Sequence, residues 1–177
     1  MKTIGLIGGM SWESTAHYYR AINQDVARQR GGLHSAPLIV HSVDFAPIAQ
    51  MQSAGQWTEA GEQLALIARG LQDAGAEIIG LATNTMHMVA DQIIAAIDVP
   101  FIHIADPTSD ALLEDKFDKV GLLGTRFTME MPFYRDRLAQ RGLQSIIPEV
   151  DRTNLNGIIF EELCRGIVRD ESRRTYV

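Results

Sequence analysis

The chain has 177 residues, 46% hydrophobic and 21% charged, a composition that excludes a disordered protein and provides for a real core. Its 16 Lys and Arg against 22 Asp and Glu leave a net charge of −6 with no basic run, which argues against nucleic acid as a partner. One cysteine, Cys164, rules out an internal disulfide framework; with no signal-peptide pattern and no apolar run long enough for a bilayer, a cytoplasmic protein is expected.

In chain order, Thr3 to Ile7 is expected as a first strand, and Gly8-Gly9-Met10-Ser11 as a tight turn into a helix capped by Ser11, with Glu13 favouring its first turn. Ala16, Tyr19, Asn23 and Val26 recur at helical spacing and predict one core-facing stripe. Pro37 to Val43 reads as a second strand, ending at Asp44 and a loop containing Pro47. Thr58 to Ala74 is a long amphipathic helix stopped by Gly75. The apolar run after Glu77 is a buried third strand that breaks into Thr83, Asn84 and Thr85, the carboxyl edge where ligands collect in open α/β sheets. Met86 to Ile97 follows as a helix that Asn84 can cap, its N–H groups and dipole favouring a carboxylate; taken alone, the cluster reads better as a plain helix cap and a β-branched strand end. Pro100 to Ile104 is a fourth strand. This alternation means βαβ units, hence a parallel sheet with helices on both faces.

After Asp106-Pro107-Thr108-Ser109 and a short helix to Phe117, the pattern restarts. Gly5 and Gly8 of the opening strand match Gly121 and Gly124 of the segment beginning at Lys119, and Tyr18 matches Tyr134 at the same offset. The expected architecture is therefore α/β, two similar three-layer α/β/α units with parallel sheets, residues 1–116 forming the first and 117–177 a truncated second. The strands of that second unit are Lys119 to Leu123 and Gln144 to Ile147, followed by an amphipathic helix from Asn154 to Val168. Its counterpart of Thr83 would fall beyond Val177.

The glycines fit no phosphate-binding motif: Gly5, Gly8 and Gly9 do not form G-x-G-x-x-G, and Gly-Lys-Ser/Thr does not occur. Gly9-Met-Ser-Trp-Glu13 lacks the closing glycine of a nucleophile elbow, which makes Ser11 a poor hydrolase nucleophile. His17, His34, His41, His87 and His103 have no ligand spacing, and Cys164, in a helical pattern, reads as a buried structural thiol, so neither metal nor cofactor is expected.

Gly8-Gly9-Met10-Ser11, Thr83-Asn84-Thr85-Met86-His87, His103-Ile104-Ala105-Asp106 and Leu123-Gly124-Thr125 with Thr128-Met129 resemble, in order, the blocks of the aspartate/glutamate racemase family. The resemblance implies a cofactor-independent racemase of acidic or related amino acids, forming homodimers and placing one proton-handling residue in each of two domains. Two bases are what the chemistry asks for, because inverting an α-carbon removes its proton from one face and returns one to the other. The resemblance puts Thr83 where most of the family carries its first catalytic cysteine. It also implies substrate binding by Asn84 and Thr85 at the α-carboxylate, with Met10, Ser11, Thr125 and Thr128 around it and Gln52 at the side-chain carboxylate. The second catalytic cysteine would lie beyond Val177, which leaves open the alternative of an inactive carboxylate-binding or vestigial protein.

Overall fold

Strand β1 (Ile4–Gly8) is the centre of the first sheet in this computed structural model, which describes residues 1–176. It pairs in parallel with β2 (Leu38–Ser42) on one side and β3 (Ile78–Leu81) on the other, and β3 pairs in parallel with β4 (Phe101–Ile102). The order β2-β1-β3-β4 reverses direction between β1 and β3, the topological switch point at which doubly wound sheets place their ligands. Helices α1 (Trp12–Arg30) and α3 (Trp57–Asp73) cover opposite faces. Strand side chains alternate, so Gly5 and Gly8 face opposite ways: a Cβ on Gly5 would meet Leu71 of α3, and one on Gly8 would meet Thr15 of α1. The core of this unit is Ile7 and Ile79 from the sheet against Ala60, Leu64, Ala68 and Leu71 of α3, closed by Met86 and Ile93.

Several elements depart from the sequence expectation. The loop expected around Pro47 is a helix, α2 (Phe45–Ala54). Asp44 caps it by accepting from the Ala46 N–H at 3.2 Å, and Pro47 lies in the first turn, where a missing N–H breaks no helical bond. The helix expected over Met86 to Ile97 is a 3-10 helix (Thr85–Val89) followed by the short α4 (Ala90–Ala95). The stripe on α1 is not core-facing: Thr15 is its buried residue, whereas Ala16 is exposed and Tyr19 is 54% exposed. Asn23, the polar member of that stripe, instead ties down the chain before β2, its Oδ1 accepting from the Ala36 N–H at 3.0 Å.

The chain divides into two compact units, the first running from Met1 to Ile102 and the second starting at His103. The expected boundary after residue 116 falls instead ahead of α5 (Ala105–Glu114), because α5 belongs to the second core. Its Ala105 packs with Tyr134 and Leu138 of α7 (Pro132–Gln140). Two acid–base pairs fasten the same helices: Arg137 grips Asp106 through Nε at 2.8 Å and Nη2 at 2.7 Å, and Arg141 pairs with Asp110 one turn along. Strand 4 is correspondingly short, since His103 and Ile104 already accept from Asp106 and Thr108 in the first turn of α5.

The second sheet consists of β5 (Lys119–Gly121) and β6 (Gln144–Ile146), parallel, with α6 (Arg126–Glu130) and α7 between them in sequence. The long helix expected from Asn154 stops early. Helix α8 (Arg152–Glu161) gives way to a 3-10 turn (Leu163–Arg165) and to Gly166 at φ 72°, a left-handed conformation that glycine adopts readily; a short α9 (Asp170–Thr175) follows. Cys164, in that turn, is only partly buried. Among the described residues no helix is long and apolar enough to cross a membrane.

Candidate active site

The carboxyl ends of three strands are drawn level in the first unit. The Ala82 N–H donates to Ile7 O at 2.8 Å and the Val43 N–H to Gly8 O at 3.0 Å, so the loops that leave β1, β2 and β3 start side by side. Gly9 turns the first of these loops at φ 95°, and a Cβ there would sit 2.2 Å from Val43 O. Thr15, one turn into α1, holds the loop in place: its Oγ1 accepts from the Gly9 N–H at 2.8 Å and donates to Ser11 O at 2.9 Å. Ser11 caps α1, its Oγ accepting from the Ser14 N–H at 3.3 Å, and both Met10 and Ser11 are buried.

The loop after β3 brings Thr83, Asn84 and Thr85 to the same edge. Thr83 is half-buried, Asn84 exposed and Thr85 buried. Asn84 does not cap the following helix: its backbone is helical (φ −75°, ψ −49°), whereas an N-cap side chain reaches back from extended backbone. The element it precedes is a short 3-10 helix, so the strong dipole of a long helix expected here is absent.

Gln52 is brought to this edge from α2. It is 3% exposed, and its Nε2 donates to Met86 Sδ at 3.0 Å. Its Oε1 is buried with no hydrogen-bond partner among the described residues. Most buried polar atoms are paired, so an orphan acceptor beside Met86 marks a side chain with a hydrogen bond still to make.

Thr125 and Thr128 occupy the equivalent turn of the second unit. Thr125 caps α6, its Oγ1 accepting from the Thr128 N–H at 3.2 Å and lying 3.2 Å from Thr128 Oγ1. A Cβ on Gly124 would press on Thr128, as one on Gly8 would press on Thr15, so a glycine at or just past the end of each unit's first strand packs against a threonine of the next helix. In this unit Asp106 is held below the ordinary carboxylate value by the Arg137 hydrogen bonds, against an opposing push from burial. Burial also raises the Tyr134 hydroxyl.

Sequence reasoning missed two residues of the first unit. Thr15 was legible in principle, as a hydroxyl four residues past a capping serine can reach back to its carbonyl. His87 entered as the last residue of the Thr83–His87 block and as one of five scattered histidines, with no role of its own, yet its Nδ1 lies 2.8 Å from Thr83 O.

The sequence profile of the family described as Asp/Glu/Hydantoin racemase matches residues 7–177. The chain belongs to the Asp/Glu/Hydantoin racemase family. That places it among the amino-acid racemases, which are isomerases. A proposed Asp/Glu racemase from Yersinia pestis is 54% identical, with 99% of this chain and 77% of that one covered and a TM-score of 0.89. PH1733 of Pyrococcus horikoshii OT3, an aspartate racemase homologue, is 36% identical over 94% of this chain and 74% of that one, with a TM-score of 0.78. Picrophilus torridus aspartate racemase, 19% identical over 91% and 72% of the two chains, shares the fold at a TM-score of 0.71.

Proposed function

We propose that this member of the racemase family inverts the α-carbon of acidic amino acids of the aspartate and glutamate type, without a cofactor. The observation that carries the reading is the meeting of Met10, Ser11, Gln52, Thr83, Asn84 and Thr85 at the switch-point edge of the first sheet. In this reading Thr83 serves one face of the α-carbon as acid/base group, and Asn84 and Thr85 bind the α-carboxylate. Gln52 supplies its unpaired acceptor to the ammonium or its amide N–H to the distal carboxylate. Proton removal next to a carboxylate builds negative charge, so fixed donors at that edge lower the barrier more than water does.

A threonine hydroxyl is a far weaker proton acceptor than a thiolate, so the two faces are handled unequally. That same residue favours a second reading, a carboxylate-binding protein without turnover. The two separate on α-proton exchange of L- and D-aspartate and L- and D-glutamate in deuterated water, followed by proton NMR, with succinate binding measured in parallel. Racemase function gives exchange that Thr83→Ala abolishes from one enantiomer and Thr83→Cys restores. Succinate binding without any exchange identifies the binding protein, and neither exchange nor binding overturns both.

A further inference from the structure

We infer that His87 is a positioning residue for the Thr83–Asn84 segment, an inference that rests on the proposed role of that segment. His87 is 3% exposed and holds two successive carbonyls. Its backbone N–H donates to Asn84 O at 3.1 Å, and its ring Nδ1 lies 2.8 Å from Thr83 O. A carbonyl oxygen only accepts, so Nδ1 carries the hydrogen and the ring's tautomer is set. The ring is steadied on Phe101 of β4, with centroids 5.8 Å apart and planes tilted by 54°.

The consequence lies in peptide geometry. In a trans peptide the carbonyl and the next N–H point in opposite directions, and the two peptides from Thr83 to Thr85 are trans. Turning the Thr83 and Asn84 carbonyls toward His87 therefore turns the Asn84 and Thr85 N–H groups to the other side. His87 thus sets the direction of two backbone donors, and with them the Cα of Asn84 and the exit vector of the Thr83 side chain, without touching a ligand itself. Backbone donors aimed beforehand need no reorganisation when an anion arrives.

Three substitutions separate aiming from packing. His87→Asn places a side-chain N–H at the topological position of Nδ1 and removes the ring. His87→Phe keeps the ring on Phe101 and removes the donor. His87→Gln moves the donor one atom outward. Succinate is the probe, titrated by NMR against the 177-residue chain and its variants, with folding checked by thermal melting. The expected order is wild type and His87→Asn within about twofold of each other, and His87→Phe and His87→Gln weaker by about fivefold, the scale of one lost neutral hydrogen bond. The reverse order, His87→Phe binding like wild type and His87→Asn failing, shows that the ring only packs and overturns the inference. Nitrogen-15 NMR of the labelled histidine ring decides independently of any variant's folding: the tautomer protonated only at Nε2 also overturns it. Absence of both succinate binding and α-proton exchange in wild type overturns the proposed function and takes this inference with it, an outcome distinct from either of the others.

Discussion

Gln52→Met tests whether a buried polar side chain is held in place for a ligand. The substitution keeps length and approximate volume, so it leaves no cavity. It removes the orphan Oε1, whose burial without a partner costs about 1–3 kcal/mol. It also removes the Nε2 hydrogen bond to Met86 Sδ, a contribution of about 0.5–1.5 kcal/mol at most, given sulfur's weakness as an acceptor. The difference favours the variant by about 1 kcal/mol, which raises the melting temperature by about 2–4 °C for a chain of this size. Succinate affinity should move the other way, falling by about fivefold or more as the amide is lost. Differential scanning calorimetry and isothermal titration on the same preparations read both signs. A lower melting temperature with unchanged succinate affinity would refute the reasoning, showing Gln52 to be an ordinary packing residue whose amide is fully used in the free protein.

Two further outcomes follow from the geometry. Thr15→Val preserves shape but strands the buried Gly9 N–H and takes a donor from Ser11 O; urea denaturation should show a loss of about 1–3 kcal/mol, and a change under about 0.5 kcal/mol would show that water replaces the hydroxyl. Asp106, whose ordinary value is 3.8, is held lower in the folded chain, so its ion pair with Arg137 contributes fully above that value and is lost as pH falls through the lowered one. Asp106→Asn should therefore destabilise the second unit at neutral pH and converge with wild type in acid denaturation once the pH falls below the lowered value, whereas a gap that stays constant would place the effect outside the ionisation.

What the sequence made legible was whatever is written in local pattern. The parallel strands of the first unit, the capping role of Ser11 and the polar cluster at the end of β3 follow from apolar runs and the residues that interrupt them. Three errors came from a simple local signal that another contact overrode. Pro47 suggested a loop, but Asp44 starts a helix that accommodates it. The spacing of Ala16 and Tyr19 suggested a buried stripe, but α1 meets the sheet through Thr15 because Gly8 leaves room only there. The boundary near residue 116 came from the restart of the repeat, which cannot reveal that Asp106 and Asp110 are matched by Arg137 and Arg141 across the second core. Gln52 was hard to place because its partner Met86 is distant in sequence, and His87 because no pattern says that its ring turns back on the Thr83 carbonyl.

The crowding at Gly8 and Gly9 has a consequence for how this scaffold can change. Gly8 is pressed against the Thr15 methyl and Gly9 against the Val43 carbonyl just past β2, so neither admits even the smallest side chain without a shift of α1 or of that backbone. A randomised library across residues 8–11 should return glycine at the first two positions whatever substrate is selected for. Under the proposed function, variation in that loop is left to Met10 and Ser11, and with Gln52 these make three positions that can be surveyed completely in a single combinatorial screen.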